Sequence, residues 1–543
     1  MFSRRRPVLS LPKGTVTQKI FSPTFYVGLF RLYMDTKTEE KIKPIDALVQ
    51  VVDNLKKQGK KVVQCHGVFD LVHPGHIQHL NSAKKHGDVL IVTITNDKNV
   101  KKGPDRPIFN EQLRAETLAS LSVTDYVSII DAPTPAEYIK KIKPDIYTKG
   151  PDYKDKENNI GVNIPEEEEA VKSVGGKFVL TDGIIFSSSK LINNYLDVYP
   201  PETLRYLENI SKKYPIDFIT DRLCSLNKLK ALVIGDAIID QYHYCVPMGR
   251  SSKEPLVANR YLLEESFAGG SLATANNVAS LCGQVDLLTI LGEKDSFQNF
   301  IENKLNPNVN PTFFYRPDTG TITKRRFITQ GTNRKLFEIC YLEDSFIPEP
   351  IESKILLHLE NSIRNHDLVV VSDFGHGLLT PGIIDLICSK AKYLAINVQT
   401  NSANIGFNLV TKYPRANCVC IDEMELRFAT HDRFGDLRTH AKKIYQQLGC
   451  ENIIVTRGPN GSLTYSQSDG FHQTPAFSYH VIDTIGAGDA FFAFVSPCFA
   501  TRFPQDLVSL IGNAVGSLAV QIICNREAVK FVDLIKFITR LLK

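Results

Sequence analysis

KVVQCHGVFDLVHPGHIQHLNSAKKHGDVLIVTITND, residues 61–97, decides how the first part of this chain folds. It opens on an apolar strand, passes through a glycine turn at Gly67, continues as a helical stretch with polar and apolar residues mixed, and returns to a second apolar strand. Strand, helix, strand in this rhythm implies a parallel α/β sheet, because parallel neighbours need a crossover connection. The alternation continues through YVSIID and PDIYTKG to KFVLTDG, ending near residue 183.

Residues 199–229 differ: the text is polar, helical and punctuated by proline, without a strand. It reads as a helical linker. At residue 231 a second α/β series begins with ALVIGDAIID. It runs through VDLLTILGE, LVVVSDFGHG, YLAINVQ, CVCIDE and NIIVTRGPNG. No internal repeat relates the two series. The expected organisation is an extension over 1–40, a first domain over 41–198, the linker over 199–229 and a second domain over 230–543.

The whole chain supports two domains of ordinary size, since 543 residues exceed what one core organises. Hydrophobic residues make up 43% and charged residues 23%, the balance of a globular enzyme. A formal charge of +5 is small for this length, and no basic stripe with interleaved aromatics stands out, so nucleic acid is not an expected partner. No apolar run approaches the roughly 20 residues of a membrane helix. Eleven cysteines form no CxxC pair or regular framework. This excludes a zinc or disulfide scaffold and fits a reducing, cytoplasmic compartment. Cys418 and Cys420 are expected to alternate on one buried strand. The first 34 residues carry Arg4, Arg5, Arg6, Lys13, Lys19 and Arg31 without an acidic residue, a superficial likeness to a transit peptide. Pro7 and Pro12 interrupt any amphipathic helix there, and a disordered extension is the preferred reading; whether 1–33 belong to the mature protein stays open.

Two stretches carry chemistry. In HGVFDLVHPGH, residues 66–76, a strand gives way to a helix whose first amides are unpaired and whose dipole favours anions. Gly67 permits close backbone approach, Pro74 suits the first turn, and His73 and His76 lie on one side of it. The pair could stabilise charge developing on an α-phosphate. In DTIGAGDAF, residues 483–491, the turn Gly486-Ala487-Gly488 opens an apolar helix and offers consecutive amides to a phosphoryl group in transit. Asp489 is placed to accept a proton from an attacking hydroxyl.

The first stretch resembles the cytidylyltransferase-like superfamily with its GxFDxxHxGH turn, over about 130 residues. That resemblance implies a Rossmann-like nucleotidyltransferase fold and gives His73 and His76 a catalytic role. It assigns nucleotide and phosphate contacts to Gly67, Phe69, Asp97, Lys101, Lys102, Arg106 and Arg114. Lys149-Gly150-Pro151-Asp152-Tyr153 resembles the KGGDY of sugar-phosphate adenylyltransferases, and Ser187, Ser188 and Ser189 stand where that family caps a helix with hydroxyls around the β- and γ-phosphates. The asparagine usual before the first glycine is His66 here, so ATP and CTP both stay open as the nucleotide.

The second half resembles ribokinase-like, PfkB-type sugar kinases over about 300 residues, which implies an α/β sandwich with a small β lid. Asp489 is then the catalytic base. The resemblance places Asp236, Asp240, Gly269, Gly270, Asn277 and Lys324 on the sugar side. It places Thr456, Gly458, Gly486, Ala487, Gly488 and Asn513 on the nucleotide side. Asp373 and Gly375 of SDFGHG match nucleotide-side positions as well. Three departures stand out: the SDYGKG lysine is His376, DPK reads Asn397-Val398-Gln399, and NxxE reads Asp422-Glu423-Met424-Glu425. Glu425 keeps a carboxylate linked indirectly to magnesium. Mg²⁺ is expected as cofactor, with ATP, or CTP in the first half, as substrate.

Together the halves resemble the bacterial bifunctional heptose-phosphate kinase and heptose 1-phosphate adenylyltransferase, with the domain order expected to be reversed. The implied function is a transferase acting twice on sugar phosphates, with small molecules as partners and a homodimer as the assembly to test. The alternatives are one active half beside a sugar- or nucleotide-binding pseudoenzyme, or a polyol or head-group phosphate cytidylyltransferase joined to an unrelated sugar kinase.

Overall fold

The computed structural model describes residues 36–150, 164–181, 199–332, 334–343, 345–478 and 480–543. The chain divides into two compact units. Lys101–Asp105 groups with the second, and Arg106 returns the chain to the first.

The first unit is a five-stranded sheet of β1 (Val62–Gly67), β2 (Val89–Thr95), β3 (Tyr126–Ile130), β4 (Ile146–Lys149) and β5 (Lys177–Leu180), in the order β3-β2-β1-β4-β5. Every pairing is parallel. Helix Ile45–Lys57 precedes β1, and helices Pro74–Lys84, Glu111–Ala119, Ala136–Ile142 and Ile164–Ser173 form the crossovers. Parallel strands covered on both faces need unbroken apolar runs, and β2 is buried along its whole length. The strand order reverses beside β1. Open α/β sheets bind ligands outside the carboxyl ends of strands at such a point, and β1 ends at Gly67, where the histidine turn begins.

The second unit has a nine-stranded sheet and a four-stranded one. The larger contains β6 (Lys230–Gly235), β9 (Gln284–Lys294), β10 (Val309–Gly320), β13 (Leu368–Asp373), β14 (Leu394–Val398), β15 (Cys418–Asp422), β16 (Asn452–Thr456), β17 (Ser462–Ser466) and β18 (Gly470–Thr474). Their order is β10-β9-β6-β13-β14-β15-β16-β17-β18, parallel as far as β16 and antiparallel after it. Alternation along each strand feeds two cores. Val233, Val370, Cys418 and Cys420 pack on one face with the helices Ala487–Ala500 and Gln505–Ala519, while Leu232, Ile234, Val369, Val371 and Val419 pack on the other. The two cysteines therefore alternate with core neighbours as expected, and neither is a ligand of anything described.

The smaller sheet is the lid, β12-β11-β7-β8, from β7 (Ala237–Arg250), β8 (Val257–Gly270), β11 (Thr323–Thr329) and β12 (Arg334–Tyr341). The segment expected to be a linker is helical, Pro201–Lys213 and Ile216–Ser225, but it does not stand apart. Leu207, Ile210, Ile219 and Leu223 join the same core as the Ala487–Ala500 helix, because each helix carries an apolar stripe that burial rewards.

Candidate functional sites

In the first unit, His73 caps the helix Pro74–Lys84: its Nδ1 accepts the His76 N–H at 3.4 Å. Capping sets the angle at which the chain enters the helix, and the two imidazoles stack with centroids 3.9 Å apart. Phe69 takes a left-handed backbone, φ 50°, and lays its ring edge-on to His76 at 5.1 Å. A Cβ on Gly67 would press against that ring. Gly67, Phe69, His73 and His76 thus form one turn at the reversal of strand order.

The other residues expected on this site do different work. Arg114 is fully buried and spends its guanidinium on the chain itself: Nε donates to Phe109 O, Nη1 to Val68 O, and Nη2 to Thr95 O and Asp97 Oδ1. Asp97 is used up with it, its Oδ2 accepting the Glu111 N–H at 3.0 Å. Arg114 and Asp97 hold the loops after β1 and β2 rather than presenting themselves to a triphosphate. Arg106 forms a sealed ion pair with Asp70, whose other oxygen accepts the Ile108 and Phe109 amides. Its Nη1 and Nη2 are buried without a hydrogen bond among the described residues. Lys101 and Lys102 fall in the stretch Lys101–Asp105 that groups with the second unit. Ser187, Ser188 and Ser189 lie outside the described residues, as do Pro151, Asp152 and Tyr153.

His66 has both ring nitrogens beside hydroxyls, Nδ1 3.1 Å from Thr93 Oγ1 and Nε2 3.2 Å from Thr95 Oγ1. Burial, helped by the Lys149 charge, drives its pKa far below the usual value. The histidine in place of asparagine is therefore a neutral strut between β1 and β2. Lys149 is itself buried and ion-paired with Glu167 at 3.0 Å.

In the second unit a cleft of about 310 Å³ lies between the lid and the carboxyl ends of the main sheet. Asp489, Gly486, Gly488, Lys324, Asp240, Gly270 and Thr456 line it, and so do Gln399, Asn401, Asp422 and Asn525. Gly486, at φ 83°, needs the left-handed region that suits glycine, and a Cβ there would strike the Asn525 side chain. The turn delivers Ala487, Gly488 and Asp489 to the first turn of a helix whose buried residues beyond Asp489 are apolar except Ser496. Burial pushes the Asp489 carboxyl up to about 7; a hydrogen bond from Gln399 works against that, Asp240 adds to it, and Lys324 opposes it.

Around the base the charges are divided unevenly. Arg326 is committed to Asp240 and, at 2.6 Å, to Glu338. A Cβ on Gly269 would collide with the Asp240 carboxylate, so this glycine makes room for the acid rather than for a ligand. Lys324 is buried with its ammonium 5.9 Å from the Phe374 ring and without a hydrogen bond or ion pair among the described residues. Its unpaired charge stands in the cleft beside Asp489.

Several expected contacts sit behind the cleft. Asp236 does not line it. Its Oδ2 accepts the His376 N–H, and burial together with Asp373 raises its carboxyl to about 6. Asp373 is bound to Lys412 at 2.6 Å and to the Tyr413 hydroxyl at 2.7 Å, and it accepts the Gly375 N–H. His376 is neutral, burial and the Lys324 charge lowering its pKa to about 4. Asn277 clamps two backbone segments, donating to Ala273 O and accepting from Val529 N–H. Asn513 donates to Ser462 Oγ and Ser509 O inside the core. Both asparagines, expected at ligands, make these bonds within the chain. Gly458 is exposed on the turn after β16, beyond the cleft lining.

Glu425 completes a capping box with Asp422: its Oε2 accepts the Asp422 N–H at 2.8 Å and its Oε1 the Thr400 N–H at 3.0 Å. Burial and the Asp422 charge push its pKa up. Gln399, Asn401, Asp422 and Asn525 were not expected in the cleft. Gln399 and Asp422 stand in the two departed motifs, DPK and NxxE, Asn401 follows in the polar run after β14, and Asn525 had no local signal.

Among known proteins, residues 228–523 match the model described as pfkB family carbohydrate kinase, and residues 65–194 the one described as cytidylyltransferase-like. The bifunctional protein HldE of a Nitratiruptor species is 46% identical over 174 residues, 31% of this chain and 37% of its own length. That of Geobacter metallireducens is 36% identical over 194 residues, 35% of this chain and 38% of its own. The likeness covers the N-terminal part, and the chain spans less than two fifths of the length of these relatives. The matches do not bear out a reversal of domain order relative to them. Phosphofructokinase-2 from Escherichia coli is 14% identical, with a TM-score of 0.47 over 58% of this chain and 99% of that one. The expected pair of α/β domains, nucleotidyltransferase-like then kinase, holds. Among the described residues no helix is long and apolar enough to cross a membrane.

Proposed function

Because the chain belongs to the pfkB family of carbohydrate kinases and carries a cytidylyltransferase-like domain ahead of the kinase, we propose that it is a bifunctional, cytoplasmic transferase. One half phosphorylates a sugar phosphate with ATP, and the other joins a nucleotide to a sugar 1-phosphate with release of pyrophosphate. The observation that carries this reading is the pairing in one cleft of a buried carboxylate, Asp489, with a buried unpaired ammonium, Lys324.

Asp489 Oδ2 takes the proton of the sugar hydroxyl. The oxygen attacks the γ-phosphorus, the bond to the β-phosphate oxygen breaks, and ADP leaves. The amides of Gly486–Gly488 receive the equatorial oxygens, as helix N-termini do for anions. Lys324 attracts the phosphate the sugar already bears. Magnesium, arriving with the nucleotide, supplies charge neutralisation of its phosphates. The chemistry of the donors fits Asp422, whose carboxylate faces the cleft with Oδ2 unengaged among the described residues, better than Glu425, whose two oxygens are taken.

In the first unit the stacked His73 and His76 at the reversal of strand order support nucleotidyl transfer. KGPDY, with its likeness to sugar-phosphate adenylyltransferases, favours ATP over CTP and heptose-type nucleotide-sugar synthesis over head-group chemistry. A homodimer is supported by the lid, where Tyr261, Leu263, Phe337, Ile339 and Tyr341 expose apolar surface.

Purified protein given Mg²⁺, ATP or CTP, and panels of sugar 7-phosphates and sugar 1-phosphates tests the proposal by following ADP and pyrophosphate separately. ADP with one panel and pyrophosphate with the other is the expected result. Pyrophosphate alone would recast the larger half as a binding domain.

A further inference from the structure

The amides behind the base have an orientation that their partners fix. Asn397, near the end of β14, donates Nδ2 to the Cys420 carbonyl of β15 at 2.7 Å. A carbonyl only accepts, so Asn397 must turn its Oδ1 the other way. Gln399 donates Nε2 to that Oδ1 at 2.9 Å, and the same nitrogen donates to Asp489 Oδ1. Both hydrogens of Nε2 are used, and the hydrogen bonds link the Cys420 carbonyl of β15, through Asn397 and Gln399, to one oxygen of the carboxylate. The other oxygen, Oδ2, has no hydrogen bond among the described residues and is left for an incoming hydroxyl.

We infer that Gln399 is the positioning residue of the phosphoryl-transfer base, fixing the Asp489 rotamer through the hydrogen bond it donates to Oδ1. The inference rests on the kinase reading above. Four other titratable groups face Asp489: Asp240 from β7, Lys324 from β11, Cys420 from β15 and Glu425 from the helix Glu423–Thr430. Asp240 and burial hold the proton on; Lys324 and Gln399 draw it off. Of the two that draw it off, Gln399 is the uncharged one, so its donation is the same at every pH. It leaves the carboxylate basic enough to take a proton, whereas an ammonium in direct contact would make it a poorer base.

The test is a carboxyl infrared titration of the full chain, taken as a difference against Asp489→Asn, in the wild type, Gln399→Leu and Gln399→Lys. Losing a hydrogen bond to a charged group is expected to raise the Asp489 midpoint by about one pH unit in Gln399→Leu. Gln399→Lys should lower it by at least as much. A side chain that merely packed there would not move the two variants in opposite directions. In turnover, Gln399→Leu should shift the acid limb of kcat upward by the same amount and leave KM for ATP within about twofold. Unchanged midpoints, or a raised KM for ATP with no shift, would overturn the inference. Shifted midpoints in the variants of a protein whose wild type releases no ADP with any sugar phosphate would uphold the contact and overturn the kinase reading instead.

Discussion

Lys335 Nζ lies 2.6 Å from Asp483 Oδ1, an ion pair that ties the outer lid strand to the segment leading into the glycine turn. The Tyr242 hydroxyl, on another lid strand, donates to Asp483 Oδ2 at 2.6 Å, and the amides of Ile485 and Cys524 add two more donors. Burial by itself would raise the Asp483 carboxyl, but donation from Lys335 and Tyr242 outweighs it and holds the group below its ordinary value. A depressed carboxyl contributes stability that is present above its unfolded pKa and lost as pH falls through the folded one, so the tie is complete at neutral pH and fails in acid.

Lys335→Met is therefore expected to loosen the lid without touching the base. Amides of β12 should exchange about tenfold faster at about pH 7, with the difference from wild type shrinking in acid. KM for the sugar substrate should rise more than kcat falls. Hydrogen exchange and initial-rate kinetics check both.

Asp489→Asn should lower ADP formation by about 10²–10⁴-fold, the range a general base supplies, and leave pyrophosphate release intact. His76→Ala should do the reverse. Loss of both activities in either folded variant would contradict independent sites. Stability should respond too. A carboxyl raised to about 7 has its relative stabilisation at acid pH, below the unfolded value, and loses it as pH rises through 7. Asp489→Asn should then raise the melting temperature at about pH 8 and leave it nearly unchanged at about pH 4, as scanning calorimetry would show.

Lys324→Met removes the unpaired ammonium. A charged hydrogen bond contributes about 1.5–3 kcal/mol, so KM for a phosphorylated acceptor should rise by about tenfold or more while KM for ATP changes little. Loss of the positive charge should also raise the Asp489 midpoint, moving the acid limb of the rate profile upward.

Arg114→Met tests the structural assignment of that arginine. It would strand the Val68, Thr95 and Phe109 carbonyls and the Asp97 carboxylate, at a cost of about 3–5 kcal/mol to the first unit. A urea titration should show the first unit unfolding at lower denaturant, with kinase turnover preserved. A folded first unit with only a weaker affinity for nucleotide would restore the phosphate role.

Patterns local in the chain were legible in the sequence alone. The unbroken apolar runs of LVIGD and CVCID marked the strands, as parallel strands buried on both faces require. The glycine turn beside Asp489, and the histidine pair at a strand-to-helix junction, marked both sites, because a helix N-terminus and a tight turn are made by consecutive residues. What tertiary structure decided was the partner of each polar side chain. Asn277 and Asn513 were expected at ligands, yet they bond to Val529 and Ser462, far away in sequence. Arg114 and Asp97 spend their charges on loops, and Gln399 reaches a base ninety residues on. A side chain's donors and acceptors go to whichever groups the fold buries beside them, since leaving a buried polar group unpaired costs more than most motifs gain. Residue type and spacing therefore marked the two candidate sites, and only the packed chain decided which groups each polar side chain bonds.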